Sequence, residues 1–379
     1  MKDLLPLLAV LGSMVMLPLA GALLGLTPIA ELLRLPLSEP AWDTLRPDPT
    51  VTLAAMAIST LSLAVLGWLA WPRRPVRRAV ETRAPAPLPR YTWFGVFSLL
   101  IAVVAVDGDA VNLACGMITL ALALFANADT QRRTGNSLIR QRPGYFYSLF
   151  PASLAIGWAF YWLNLFLQLW SYPGATETMA FVLGQSVHYA ALLPALLSLR
   201  QWLASFPRLS SWTSRARPTQ GRGSRGEGVV LIGIGAIGLV GASIWPDWIF
   251  PLALLAPLLL ALGLQLLRGR PTLFAGLAEG DWSRILLPGL SALLLSALTH
   301  SFNQLFGPGW VFQLPLIGGP TLLGLPVPAW LWTLPLGLFG VWIGDQLTTP
   351  WKARPQQPRY RPRFPVKIPL VDLTGKNKH

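Results

Sequence analysis

Three sets of uncharged polar residues recur at helical spacing inside apolar stretches: Tyr161, Asn164 and Gln168; Gln185, His188 and Tyr189; and His300, Asn303 and Gln304. Intervals of three, four and seven put each set on one helix face. In a membrane such groups either bond helix to helix, at under about 2 kcal/mol per contact, or converge on a ligand or headgroup. Proton coupling or a charged-substrate pathway would instead need buried acids or bases. No Asp, Glu, Lys or Arg falls deep inside an apolar stretch. His188 and His300 invite a reading as axial haem ligands. His188, however, lies about ten residues from the outer end of its span and His300 about three, a depth mismatch near 10 Å at helical rise. Two histidines without a thiolate or carboxylate also make a poor zinc site. The sequence therefore predicts no cofactor, no metal and no catalytic residue, and a candidate ligand site at Tyr161, Asn164, Gln168, Gln185, His188, His300, Asn303 and Gln304.

Two further patterns carry chemistry by their letters. Glu279, Asp281 and Arg284 bring two carboxylates and a guanidinium together near one end of a span. That grouping suits a divalent ion and a lipid or polyprenyl substrate, or a solvated loop. Gly233-Ile234-Gly235-Ala236-Ile237-Gly238 matches the dinucleotide fingerprint, but it sits in an apolar span without the strand, turn and acidic residue that give the motif meaning. Its Gly235 and Gly238, with Ala242, are predicted to line one face and admit a neighbouring helix.

The elements that must carry these residues follow from charge. Of 30 Lys and Arg, all but Arg34 and Arg46 fall at the amino terminus or in every second gap between apolar runs: 73 to 90, 132 to 142, 200 to 225, 268 to 284 and the tail from 352. Short basic loops stay cytoplasmic, so the alternation predicts a multi-pass protein with both termini inside. Composition agrees: at 53% hydrophobic and 12% charged, the chain carries more apolar surface than one water-soluble core would hide. The net charge of +14 is then a topology signal with affinity for anionic lipid, not a mark of nucleic-acid binding. With Cys115 as the single cysteine, no intramolecular disulfide is possible.

A span needs about 20 mostly apolar residues, and ten segments come near it: 4–26, 50–72, 91–106, 111–127, 145–170, 178–202, 228–245, 248–267, 285–303 and 322–344. The expected fold is an all-α polytopic transmembrane bundle of about ten spans. Asp107-Gly108-Asp109 and Pro246-Asp247 read as tight outer turns. Lys2, an apolar run and Ala20-Gly21-Ala22 resemble a cleavable secretory signal, but the run is long for one and is read as a span. Leucines among charges in the outer segment 27–49 suggest a short surface-lying helix, limited by Pro36 and Pro40. The basic stretches 73–90 and 204–227, rich in Arg, Pro, Gly and Ser, are expected to be mobile cytoplasmic linkers, with 207–227 the part lacking apolar periodicity. The Pro-rich basic tail 346–379 is expected to meet the membrane surface or a protein partner. The apolar but Gly- and Pro-broken outer segment 303–325 is expected to dip into the bilayer against protein.

The chain also repeats itself weakly. Asn164 precedes Trp170, Tyr172 and Pro173, with Pro194 beyond; Asn303 precedes Trp310, Phe312 and Pro315, with Pro335 beyond. This spacing overlays spans three to six (91–203) on spans seven to ten (228–345) in the same orientation, and leaves 1–72 as an addition. Parallel repeats of this kind place a site between two halves.

Over about 91 to 345 the chain resembles a family of uncharacterised bacterial integral membrane proteins. The resemblance is carried by Asn127 with Arg132-Arg133-Thr134-Gly135-Asn136-Ser137, Leu149-Phe150-Pro151-Ala152-Ser153, Phe160-Tyr161-Trp162-Leu163-Asn164, Trp170-Ser171-Tyr172, Gly280-Asp281-Trp282 and Trp310-Val311-Phe312-Gln313-Leu314-Pro315. It implies an architecture and a bacterial inner-membrane location, not a mechanism. Similar sequences carry Phe-Glu-Tyr-Leu-Asn and Trp-Glu-x-x-Asn, with a Glu three residues before each Asn. Tyr161 and His300 stand there instead, which removes any function built on that acid pair. The leading expectation is a non-enzymatic component that binds or moves a neutral or lipid-like ligand through the outer polar cluster. A membrane-embedded enzyme using Glu279, Asp281, Arg284 or His300, and a scaffold recruiting a partner through its tail, remain open beside it.

Overall fold

The structure is a computed structural model of the chain and describes residues 4–25, 35–40, 45–71, 87–105, 110–214, 216–219, 223–307 and 309–348. Ten helices carry the fold: α1 (Leu5–Leu24), α2 (Pro49–Ala70), α3 (Thr92–Val104), α4 (Val111–Thr134), α5 (Pro143–Leu167), α6 (Thr178–Ala204), α7 (Arg225–Gly241), α8 (Pro246–Leu267), α9 (Ser283–Leu305) and α10 (Thr333–Leu347). Among the described residues, eight helices are long and apolar enough to cross a membrane, the last when Val327–Leu347 is taken as one. The fold is an all-α bundle of a multi-pass membrane protein. The two other expected spans, 91–106 and 228–245, are helices of 13 and 17 residues. At 1.5 Å per residue they rise about 20 and 26 Å, short of a hydrocarbon core of about 30 Å.

Helix boundaries follow local chemistry. Pro49 starts α2, and Asp48 caps it by accepting from the Thr50 and Val51 N–H groups. Those bonds, Val51 first, hold the Asp48 carboxyl below its ordinary range. A capping box between Ser224 and Glu227 opens α7. Gly135, in the left-handed conformation, closes α4.

Packing joins α3 to α4, α5 to α6, α7 to α8 and α9 to α10, while α4 runs beside α6 in the largest seam of the molecule. Between the two groups of four, α6 meets α9 and α10, and α5 meets α8 and α10. Added to these, α1 packs on α5, α7 and α8. By contrast α2 is held mainly at its ends. At one end the Thr52 hydroxyl donates to the Leu316 carbonyl at 3.3 Å and accepts from the Gly318 N–H at 3.0 Å. At the other the Arg217 guanidinium lies 3.7 Å from the Trp68 ring centre.

The glycines of the fingerprint pattern serve helix contact. A Cβ on Gly238 would stand 3.0 Å from the Leu252 carbonyl oxygen, and one on Gly235 3.2 Å from that of Ala256, both on α8. Gly233 has open space.

Residues 207–214 and 216–219, expected to be mobile, are docked instead. A short helix spans Pro207–Thr213, and Ala216 N–H donates to Gly280 O, Arg217 N–H to Leu69 O, Thr219 N–H to Leu277 O and Trp282 N–H to Thr213 O. Backbone bonding of this kind leaves no periodic signature in side chains. Most of the 73–90 linker, the Asp107-Gly108-Asp109 turn, the leucine-rich stretch 27–34 and the tail from 349 lie outside the described residues.

Candidate functional site

The eight candidate residues fall into two groups by what their side chains already do. Asn164 and Asn303 perform the same structural task. Asn164 Nδ2 donates to the Trp170 carbonyl at 2.7 Å, and its Oδ1 accepts from the Leu169 and Trp170 N–H groups at 2.9 and 3.2 Å. Asn303 Nδ2 donates to the Trp310 carbonyl at 2.8 Å, and its Oδ1 accepts from Gly309 and Trp310 N–H at 2.8 and 3.2 Å. Each folds the chain back over the end of its helix, α5 or α9. The two returning strands, β1 (Trp170–Ser171) and β2 (Val311–Phe312), then pair antiparallel, Trp170 with Phe312 and Ser171 with Val311. A second small hairpin, β3 (Thr321–Leu322) with β4 (Leu325–Pro326), follows.

Three more of the eight are also occupied. Gln168 adopts the left-handed conformation that ends α5, with its N–H on the Asn164 carbonyl at 2.7 Å. The Tyr161 hydroxyl accepts from the Leu37 N–H at 2.9 Å. Gln304 is exposed and rests against the turn at Gly324, where an added Cβ would meet its Nε2.

Of the remaining three, His188 and His300 flank Trp310, and Gln185 lies one turn before His188 on α6. The His188 ring lies 5.4 Å from the Trp310 ring and the His300 ring 6.2 Å from it. His300 also approaches Phe312 and Trp330, and its Nδ1 lies 3.3 Å from the Leu323 carbonyl. The two histidines thus approach the same indole from α6 and α9.

His188 is 6% exposed, and neither ring nitrogen has a hydrogen-bond partner among the described residues. The same holds for the carbonyl oxygens of Gln185, at 1%, and of Asn112, at 4%. Asn112 was not among the expected residues, yet geometry puts it in the group. A Cβ on Gly184 would stand 3.5 Å from Asn112 Cβ, and one on Gly116 2.6 Å from His188 N. Asn112 and Gly116 on α4 thus face Gly184 and His188 on α6 level by level. Gly309, beside Trp310, closes the arrangement, since a Cβ there would be 3.1 Å from Asn112 Oδ1. The signal in the sequence was the reciprocal spacing, a polar residue four before a glycine on one span and a glycine four before a polar residue on the other.

A hydrogen-bonded chain borders this group: Trp170 Nε1 donates to the Tyr172 hydroxyl at 3.0 Å, which lies 3.1 Å from that of Tyr189. Deeper in α6, Ser153 Oγ accepts from Leu193 N–H and donates to the Tyr189 carbonyl, entering the helix ladder just before Pro194. Such an insertion marks a local break in helix regularity.

The residues of the enzymatic reading are distributed differently. Asp281 Oδ1 accepts from the Ser283 N–H at the start of α9, and Arg284 is paired with Asp345. Arg284 and His300 stand about 24 Å apart along one helix. Asn127, from the first resemblance motif, joins α4 to α6 through Ser198 at 2.6 Å and accepts from Ile139 N–H at 3.2 Å. Comparison of the chain with family models, curated proteins and solved structures gives no match.

Proposed function

We propose that this multi-pass membrane protein binds a small uncharged ligand, most simply a hydrogen-bonding lipid headgroup, between α4, α6 and the Gly309–Trp310 turn. One observation carries the reading: Asn112, Gln185 and His188 bury polar atoms without partners among the described residues. A buried polar group left unpaired costs about 1–3 kcal/mol, so a cluster of them fits a site whose partner comes from outside. The neighbouring groups are amides, phenols and indoles, which suits a neutral ligand better than an ion. The matching Asn164 and Asn303 clamps and the pairing of β1 with β2 support two parallel halves meeting at this place. The basic loops support cytoplasmic termini and, with them, an outer-leaflet position for the cluster.

The test is native mass spectrometry of protein purified in mild detergent. The wild type is expected to retain a small molecule or lipid that Gln185→Leu/His188→Phe loses. Identical bound species in both proteins would refute the site.

A further inference from the structure

The unpaired atoms beside Trp310 are mostly of one kind. Asn112 and Gln185 each leave a carbonyl oxygen without a partner among the described residues, and His188 leaves both ring nitrogens. An uncharged imidazole has one N–H and one lone pair, so these atoms amount to three acceptors against one donor. At Gln185 the other end of the amide is engaged, since its N–H side serves the Tyr189 hydroxyl one turn further along α6. That hydroxyl lies 3.1 Å from the Tyr172 hydroxyl, which accepts from the Trp170 indole at 3.0 Å. Asn112 Oδ1 is turned toward Gly309, 3.1 Å from where a Cβ there would stand. The Trp310 ring follows, 5.4 Å from that of His188.

Charge is kept at a distance. Asp129, Arg200 and Arg284 lie 17, 12 and 16 residues from Asn112, His188 and His300 on α4, α6 and α9. At helical rise that is about 18 Å or more. Glu177, exposed, precedes Gln185 by eight residues. These facts sort the chemical classes of ligand. A phosphate or carboxylate brings only acceptors and would meet more of the same. A choline group brings neither N–H nor O–H. An ethanolamine ammonium brings donors, but with a charge that no carboxylate among the described residues of these helices stands close enough to balance. Hydroxyl groups donate and accept at once without charge, so adjacent hydroxyls satisfy two amide carbonyls and an imidazole together. The C–H face of a sugar ring also suits an indole, whose π face is electron-rich.

We propose that the cluster takes a polyhydroxyl group, a sugar ring carried on a lipid or free, with Asn112 and Gln185 accepting from its hydroxyls and Trp310 against its C–H face. The assignment rests on the ligand reading above. To test it, protein stripped of lipid in a detergent without a sugar headgroup is offered equal amounts of monoglucosyl diacylglycerol, phosphatidylethanolamine and phosphatidylcholine with the same acyl chains. Adducts are counted by native mass spectrometry. The glucosyl lipid is expected to be preferred at least about tenfold, the discrimination of two hydrogen bonds to carbonyls that otherwise stay unpaired. Asn112→Leu removes an acceptor that bonds to nothing described, and should stay folded while losing the preference. Asn112→Asp supplies the missing charge and should turn the preference toward phosphatidylethanolamine. Free glucose separates the two sources: displacement of the glucosyl lipid marks the sugar itself as the recognised unit, and no displacement marks the lipid-borne sugar. A smaller preference in the wild type, which needs no variant to measure, or one that folded Asn112→Leu retains, overturns the assignment. If another lipid is bound instead and lost in Gln185→Leu/His188→Phe, the ligand reading stands without it. If no probe distinguishes that double variant from the wild type, both fall.

Discussion

At the scale of single residues, the polar groups of this bundle divide by whether the backbone has already claimed them. Asn164→Leu leaves the Leu169 and Trp170 amides without their acceptor, and Asn303→Leu does the same to Gly309 and Trp310. Each orphaned buried amide costs about 1–3 kcal/mol. Both variants should unfold at clearly lower temperature or denaturant in detergent. His188→Leu removes two nitrogens that bond to nothing described, so its stability should equal or exceed that of the wild type while ligand is lost. A destabilised His188→Leu beside a stable Asn303→Leu would reverse the assignment. Spacing alone found both asparagines and their equivalence. Their role was hidden because each acts on backbone five to seven residues downstream, after a chain reversal that leaves no periodic trace. Asn112 was harder still, since what makes it notable is a facing helix more than 70 residues away.

At the scale of elements, the helices were legible and their contacts partly so. Long apolar runs between basic gaps mark all ten segments because lipid demands length and apolarity together. The shortness of α3 and α7 was concealed by apolar residues that continue past the helix ends. Docking of 207–214 and 216–219 was invisible because its bonds are made by backbone atoms. Glycine contacts sort by neighbour: Gly116→Ala drives a Cβ to 2.6 Å from His188 N in the α4–α6 seam, whereas Gly233→Ala meets open space. Gly116→Ala should therefore destabilise the protein and disturb ligand retention. Gly233→Ala should be neutral or add up to about 1 kcal/mol through helix propensity. Equal melting behaviour of the two would mean that α4 and α6 do not run in this close contact.

At the scale of the molecule, the pairing of β1 with β2 ties the two groups of four helices together across 140 residues of chain, on the side where α5 and α9 end. Ser171 and Val311 are direct cross-strand partners, and facing residues of an antiparallel ladder have Cα atoms about 4.5–5.5 Å apart, within disulfide range. In a Cys115→Ser background, Ser171→Cys/Val311→Cys should oxidise to a bond that changes gel mobility until reduced. The same strand pair tests the proposed orientation, in which the basic loops are cytoplasmic and the pair lies outside. An oxidant that does not cross membranes should form the bond in intact cells. Thr176→Cys, exposed between β1 and α6, should label with an impermeant thiol reagent in intact cells, and Arg270→Cys, exposed beyond α8, only after permeabilisation. Labelling of Arg270→Cys from outside together with protection of Thr176→Cys would invert the chain in the membrane. It would move the Trp310 cluster to the cytoplasmic leaflet.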